Sequence, residues 1–217
     1  MFKDRRDAGR KLAQIVAKQH DLDNAIVLGL PRGGVPVAYE VACKLNLPLD
    51  VFLVRKLGVP AQEELAMGAV ASGGTVVMNP SIVHRLGISP EIIQAAISRE
   101  ESEIERRERI YRDGNPPLRV EGRAAILVDD GLATGASMLA AIRALHPRAE
   151  RVIVAVPVAS RDTCDELRGE VDQLICATIP EPFFALSMFY RDFAPTSDEE
   201  VRTLILQARK RQNLQVA

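Results

Sequence analysis

The chain has 217 residues, of which 47% are hydrophobic and 26% are charged. That length suits one well-buried domain with an elaboration, so we predict a single domain over residues 1–217. The formal net charge of −1 gives no electrostatic case for nucleic acid or a membrane as the main partner. No apolar run approaches about 18 residues, and no basic start precedes an apolar core, which argues against a membrane span and a signal peptide and favours a cytoplasmic location.

Three cysteines, Cys43, Cys164 and Cys176, are scattered through apolar stretches without paired spacing. This pattern argues against a disulfide framework or a zinc site. We expect buried thiols in a reducing compartment.

The chain begins with an amphipathic pattern over residues 4–20, which predicts a helix packed on a larger body. Packing is its expected role, although Phe2 and Arg5 could also edge a substrate site. A strand is predicted at 25–30 and a helix at 37–45. The loop between them contains Pro31-Arg32-Gly33-Gly34, in which the glycines let the backbone approach a ligand and Arg32 offers a planar fork for phosphate oxygens. A simple glycine turn is the alternative.

A second apolar strand is predicted at 49–54, and it ends in Arg55-Lys56. Cations at the carboxyl end of a parallel strand face the crevice where such sheets bind ligands, although a basic pair can also be solvated surface. Residues 57–67 lack periodicity and are predicted to form an exposed loop. A hairpin is predicted from 68–72 and 75–79.

A helical insertion is predicted over about 80–113, with Ile93, Ile97, Ile104 and Tyr111 along one stripe. Ten of the fourteen residues from Arg99 to Arg112 are charged, and their signs alternate without interleaved aromatics. The insertion is therefore predicted to be a solvated helix on one apolar seam and not a nucleic-acid surface.

The most informative stretch is the apolar run 124–128, followed by Asp129-Asp130-Gly131 and a small-residue loop that opens a helix. Backbone N–H groups at a helix N-terminus favour an anion. The two carboxylates would repel a phosphate placed on them, so we expect them to accept hydrogen bonds from sugar hydroxyls or to face a hydrated Mg²⁺. The pattern thus predicts a sugar-phosphate site, with a generic strand-turn-helix as the alternative.

Helices at 137–145 and 161–168 then alternate with strands at 151–157 and 173–178, which predicts an α/β fold with a parallel sheet flanked by helices. Five of the nine aromatic residues fall within 180–193. Phe183, Phe184, Phe189 and Tyr190 are candidates to stack on a planar acceptor, or else they pack this segment onto the core. With a last helix at 196–211, residues 180–217 are predicted to form a small C-terminal hood.

The run from Ile126 to Ser137 resembles the phosphoribosyl pyrophosphate signature of the type I phosphoribosyltransferases, in which hydrophobic residues precede Asp-Asp-x-x-x-Thr-Gly-x-Ser/Thr. The resemblance implies that Asp129 and Asp130 hold the ribose 2- and 3-hydroxyls and meet a metal only through substrate or water. It also implies that the 5-phosphate is held by Ala133, Thr134, Gly135, Ala136 and Ser137.

Other segments are similar to the same family. The stretch from Gly29 to Gly34 resembles its pyrophosphate loop, which often contains a cis non-proline peptide, and Arg55-Lys56 resembles a pyrophosphate contact of orotate phosphoribosyltransferases. Residues 57–67 correspond to a mobile catalytic lid, in which Glu63 and Glu64 are candidates to bond the incoming base or take its proton. Nearly the whole chain resembles a bacterial group of predicted phosphoribosyltransferases of undefined acceptor.

The implied reaction is displacement of pyrophosphate from C1 of phosphoribosyl pyrophosphate by a ring nitrogen, with Mg²⁺ neutralising the leaving group. Arg32, Lys56 and Glu64 are the catalytic candidates, and Arg55, Gly33, Gly34, Phe183 and Tyr190 are further binding candidates. Ala133 stands where hypoxanthine-guanine enzymes carry an Asp, which disfavours a 6-oxopurine.

The alternative is a regulatory relative that binds phosphoribosyl pyrophosphate or a nucleotide without turnover. A third interpretation, hydrolysis of another sugar phosphate, has less support because no His or Cys nucleophile constellation accompanies the loops. A homo-oligomer is compatible with both the transferase and the regulatory interpretation.

Overall fold

The structure is a computed structural model that describes residues 1–60 and 62–216, without the side chains of 63, 64, 215 and 216. Its centre is a five-stranded sheet of β1 (Ala25–Gly29), β2 (Leu49–Val51), β6 (Ala124–Val128), β7 (Arg151–Val158) and β8 (Gln173–Thr178). The strands lie in the order β2-β1-β6-β7-β8, and every pair of neighbours is parallel. This confirms the predicted parallel α/β fold.

Helices cover both faces of this sheet because its strands are apolar on both sides. In β1, Val27 packs into one core cluster, whereas Ile26 and Leu28 pack into the other. The first cluster is covered by α1 (Arg5–Val16), α2 (Gly34–Leu45) and α7 (Asp198–Val216), and the second by α5 (Ala136–Leu145) and α6 (Arg161–Leu167). None of the described helices combines the length and the apolar character needed to cross a membrane.

A second sheet is an antiparallel ribbon of β3 (Val54–Val59), β4 (Gln62–Ala71) and β5 (Thr75–Met78). The predicted 68–72 and 75–79 hairpin is confirmed, but two other predictions are wrong. The expected strand at 49–54 is split between β2 and β3, and most of the expected loop at 57–67 is strand. The register of β3 shifts on both sides of Gly58, which breaks the alternation that would have revealed a strand.

The helical insertion is present as α3 (Pro80–Leu86) and α4 (Pro90–Arg112). Ile104 and Tyr111 are buried on the predicted stripe of α4, and Ser89 is its N-cap residue. The helix ends at Asp113, which adopts a left-handed conformation with φ 52°.

A buried ion pair fixes α4 to the main sheet. The Nε atom of Arg112 donates to Asp50 Oδ1 of β2 at 2.9 Å, and the backbone N–H of Leu118 donates to Asp50 Oδ2 at 2.8 Å. Arg112 also contacts Glu108 at 3.0 Å. Breaking a buried pair leaves an uncompensated charge, so these contacts hold the insertion firmly in place.

The C-terminal region has two parts. Residues 180–193 are largely irregular and contain a short 3-10 helix at Leu186–Phe189. The last helix, α7, buries Val201, Leu204 and Ile205 in the core, as its pattern predicts. We therefore restrict the name hood to residues 180–197, because α7 is part of the helical layer.

The three cysteines are free thiols. Cys164 is buried, whereas Cys43 and Cys176 are half-buried. Burial raises the pKa of Cys164, and burial together with the neighbouring Cys164 raises the pKa of Cys176 to about 12. Both therefore remain protonated and weakly reactive near neutral pH.

Candidate functional site

The loops that follow β1 and β6 meet at the carboxyl edge of the sheet. These two strands are neighbours, and the chain continues from β1 towards β2 but from β6 towards β7. Such a reversal of strand order opens a crevice at the strand ends. The sheet thus places the Arg32 loop beside the Asp129-Asp130 pair.

Gly33 and Gly34 allow this close approach. A Cβ atom at position 33 would overlap Oδ2 of Asp130, and one at position 34 would lie 2.7 Å from the carbonyl oxygen of Val128. The glycines are therefore needed for one loop to pack on the other. The peptide bond between Pro31 and Arg32 is cis, the feature implied for this loop by the family resemblance.

Asp130 is buried and held from two sides. Arg5 Nε donates to its Oδ2 at 2.7 Å, and the hydroxyl of Tyr190 donates to its carbonyl oxygen. Arg5 thus lies in the candidate site, although the sequence offered only a weak hint of this. The hint was a basic residue at the start of the predicted amphipathic helix.

Asp129 differs from its neighbour. Its Oδ1 accepts the backbone N–H of Asp130 at 2.8 Å. Burial and the adjacent charge of Asp130 raise the pKa of Asp129 well above its usual range. The pair therefore consists of one carboxylate that is already ion-paired and one carboxyl that a hydrogen-bonding or cationic ligand would help to ionise.

The loop from Ala133 to Ser137 leads directly into α5. Gly135 is left-handed with φ 66°, and no side chain caps the N-terminus of α5. The carbonyl oxygen of Ala133 accepts Thr163 Oγ1 at 2.6 Å, so α6 supports the loop from behind. The uncapped N–H groups can therefore receive an anion. Four side chains of the loop are exposed, those of Ala133, Thr134, Ala136 and Ser137.

Arg55 and Lys56 do not lie at the carboxyl end of a parallel strand, so that expectation is wrong. Both belong to the antiparallel strand β3, where adjacent side chains point to opposite faces. Arg55 Nε donates to Glu100 Oε2 of α4 at 2.8 Å. Lys56 lines a cleft of about 230 Å³ that Ala136 and Ser137 also line. Lys56 therefore adjoins the α5 loop, and Arg55 is engaged with α4.

Arg32 lies at the mouth of the crevice with half of its side chain exposed. Its Nη1 is 3.9 Å from Asp198 Oδ1 at the start of α7. The hydroxyl of Tyr111 donates to the same oxygen of Asp198 at 2.7 Å. Burial and this hydrogen bond raise the pKa of Tyr111 to about 12. The insertion and the last helix therefore meet beside Arg32.

The hood closes over the loop after β6. A Cβ atom at Gly131 would overlap Leu186 of the hood. The Tyr190 ring is buried, with ring centroids 5.4 Å from Phe2 and 4.8 Å from Phe193. Tyr190 thus packs in the core instead of offering an open face to a planar acceptor, and its role is to hold the carbonyl of Asp130.

The remaining candidates from the sequence are three hood aromatics and two glutamates. Phe183 is half-buried and stacks on Phe189 with a centroid distance of 5.5 Å, whereas Phe184 is exposed. The side chains of Glu63 and Glu64 lie outside the described residues.

A five-stranded parallel sheet with helices on both faces, and with the site loops after β1 and β6, is the fold of the type I phosphoribosyltransferases. The chain belongs to the phosphoribosyl transferase domain family, whose model matches residues 3–187.

Two comparisons extend this assignment. The chain is 44% identical over 202 residues to proteins of two Mycobacterium tuberculosis strains that carry a provisional phosphoribosyl transferase name. These matches cover 93% of this chain and 45% of each relative, so the chain spans less than half of their length. A crystal structure of a Thermus thermophilus protein is 40% identical, with a TM-score of 0.84 and coverage of 95% of this chain and 98% of that one.

Proposed function

We propose that the protein transfers the 5-phosphoribosyl group from phosphoribosyl pyrophosphate to a ring nitrogen of a heteroaromatic acceptor and releases pyrophosphate. The observation that carries this proposal is the junction of three elements at one sheet edge. These are the glycine loop after β1, the carboxyl pair after β6 and the uncapped start of α5.

In this proposal each element contacts one part of the substrate. The N–H groups and hydroxyls of Ala133–Ser137 hold the 5-phosphate, and Asp129 and Asp130 accept the hydroxyls of the ribose. Arg32 approaches the pyrophosphate from the glycine loop, while Lys56 approaches from the cleft beside Ser137. Fixed donors and cations of this kind stabilise the charge that develops on a departing pyrophosphate.

The residues at the crevice fit a magnesium ion that is held mainly by water and substrate. No cluster of three or more acidic, His or Cys side chains suited to a metal occurs within the described residues. Because Asp130 is bound to Arg5, Asp129 is the carboxyl that would face the ion. Mg²⁺ commonly takes one or two carboxylates plus substrate oxygens and water, and it would neutralise pyrophosphate charge.

The acceptor is proposed to enter under the hood, beside Phe183. The Phe183–Phe189 stack lies in the same segment as Leu186, which covers Gly131. Ala133 carries no carboxylate that could accept a proton from a 6-oxopurine, so we expect another class of base. Glu64 remains a candidate for proton transfer, and Arg55 is proposed to support β3 instead of touching the pyrophosphate.

The deciding experiment measures pyrophosphate release from phosphoribosyl pyrophosphate and Mg²⁺ with a panel of purines, pyrimidines and amines. Turnover with any acceptor supports the transferase. Tight binding without turnover across the panel supports the regulatory alternative instead. A cytoplasmic location and assembly into a homo-oligomer remain further predictions, and a size measurement in solution tests the second.

A further inference from the structure

Arg5 is held in the site by three separate contacts. Its Nε donates to Asp130 Oδ2 at 2.7 Å, and its Nη1 donates to the carbonyl oxygen of Ala194 at 2.6 Å. The guanidinium carbon lies 4.0 Å from the centre of the Phe193 ring. The side chains of Arg5 and Asp130 are each only 12% exposed. A planar guanidinium that is fixed on one face and at two nitrogens has little freedom to leave its partner.

The backbone before Arg5 is tied to the hood. The N–H of Phe2 donates to the carbonyl oxygen of Phe189 at 2.7 Å, and the N–H of Arg191 donates back to the carbonyl oxygen of Phe2 at 2.9 Å. A third bond of 3.0 Å joins the N–H of Asp192 to Lys3. This short ladder places Arg5 over the crevice independently of its side-chain contacts.

The backbone and the carboxylate of Asp130 are held by different groups. Asp129 and Tyr190 bind its backbone N–H and carbonyl oxygen, whereas Arg5 binds the carboxylate and Gly33 packs against it. Arg5 occupies Oδ2. Since a carboxylate has about four lone-pair positions, Oδ1 retains the capacity to accept hydrogen bonds.

We infer that Arg5 is the positioning residue for recognition of the ribose diol, and that it makes the site selective for ribose 5-phosphate over 2-deoxyribose 5-phosphate. The inference rests on the proposed function, because it assigns Asp130 to the sugar. Arg5 does not touch the sugar itself. It fixes the direction of the carboxylate that does, so its loss affects the diol and spares the phosphate.

The test measures affinities for inorganic phosphate, ribose 5-phosphate and 2-deoxyribose 5-phosphate by calorimetry. The wild-type protein is expected to prefer the ribose compound. In Arg5→Met this preference should fall by about tenfold or more, the size of a lost hydrogen bond to a charged group, while phosphate affinity stays unchanged. A role limited to stability would weaken all three ligands together.

The matched control is Arg6→Met. Arg6 lies in the same helical turn but donates to Glu40 at 3.1 Å and lies over Tyr39, so its variant should keep the wild-type preference. Arg5→Lys keeps the charge but loses the planar fork, and it should lower the preference by about threefold or more even if Arg5→Met fails to fold.

Wild-type preference in Arg5→Lys, or in a folded Arg5→Met, overturns the inference. A wild-type protein that binds ribose 5-phosphate no better than inorganic phosphate would instead contradict the proposed function. The two failures are therefore distinguishable.

Discussion

Arg55 and Lys56 are adjacent in the chain, yet their side chains lie on opposite faces of β3. Arg55 donates to Glu100 at 2.8 Å on the α4 side, whereas Lys56 lines the cleft next to Ser137 on the α5 side. Both cations also line a cleft of about 700 Å³ between β3 and α4, but of the two only Lys56 lines the cleft beside Ser137, so their variants should differ.

We expect Arg55→Met to lower the free energy of unfolding by about 1–3 kcal/mol, because Glu100 is buried and, among the described residues, would retain its ion pair with Arg99 but lose that with Arg55. Lys56→Met should instead lower turnover by a larger factor than Arg55→Met does. Calorimetric melting measures the loss of stability, and steady-state kinetics measure the loss of turnover. A loss of turnover without a loss of stability in Arg55→Met would indicate that Arg55 contacts the substrate.

The Arg55 variant also has a pH signature. Burial acts to raise the pKa of Glu100, but its hydrogen bonds from Arg55 and Arg99 prevail and lower it. A lowered carboxyl pKa contributes stability above the unfolded value of 4.5, and this stability is lost as the pH falls through the folded pKa. The stability difference between wild type and Arg55→Met should therefore shrink in acid.

Gly33→Ala should weaken binding of ribose 5-phosphate by about tenfold or more and lower stability by about 1–3 kcal/mol, because the added methyl group would overlap the Asp130 carboxylate. Gly169→Ala is the control, since a Cβ there meets nothing within 4 Å. Calorimetry and thermal melting measure both effects. Unchanged affinity in Gly33→Ala would show that the two loops can separate without harm.

Variants of Asp129 and Asp130 should differ in their effect on stability, although both should lose affinity for phosphoribosyl pyrophosphate. Burial and the charge of Asp130 raise the pKa of Asp129, so the folded state binds its proton more tightly than the unfolded chain does. Ionisation of Asp129 therefore lowers stability as the pH rises above the unfolded value of 3.8. Asp129→Asn should match or exceed wild-type stability at neutral pH and lose affinity for phosphoribosyl pyrophosphate.

Asp130→Asn should lose both properties, with stability falling by about 1–3 kcal/mol because Arg5 is left without its carboxylate. The double variant should not bind phosphoribosyl pyrophosphate at all. Urea unfolding and calorimetry provide the measurements. Wild-type affinity in the double variant would mean that the carboxyl pair does not hold the ribose.

Arg32→Ala should reduce turnover more than ground-state affinity, by about 2–4 kcal/mol in the activation free energy if Arg32 stabilises the leaving pyrophosphate. Arg202→Ala is a suitable control, because Arg202 pairs with Asp113 at 2.8 Å on the α7 surface. Single-turnover kinetics separate the two quantities. Equal losses in turnover and affinity would make Arg32 a uniform binding residue.

Substitution of two hood aromatics should affect different properties, acceptor binding for Phe183 and stability for Tyr190. Phe183→Leu is expected to raise the acceptor KM, because a flat ring would lose a stacking partner that contributes about 0.5–1.5 kcal/mol. Tyr190→Phe should lower the melting temperature, since the carbonyl oxygen of Asp130 loses its donor. Acceptor kinetics that are unchanged in Phe183→Leu would remove this residue from the pocket.

The sequence predicts those parts of the fold that depend on local patterns. Apolar runs and small-residue loops reveal β1, β6 and α5, and also the residues that follow the two site strands. Within the antiparallel ribbon, the hairpin of β4 and β5 was predicted, but the pairing of β3 with β4 was not, because the register shifts around Gly58 interrupt its alternation. Arg5 could not be assigned to Asp130 because 125 residues separate them, and no local pattern encodes such a contact.

The contacts around Asp130 join residues made at very different times during protein synthesis. Arg5 lies in the first helix, whereas Tyr190 and Phe193 follow the last strand and lie beyond the residues matched by the family model. A nascent chain that has emerged only as far as α6 already contains both loops and the carboxyl pair. It lacks the rings and carbonyl that hold Arg5 in place, so a sugar phosphate would stabilise the finished chain, with its ordered carboxylate, more than this partial chain.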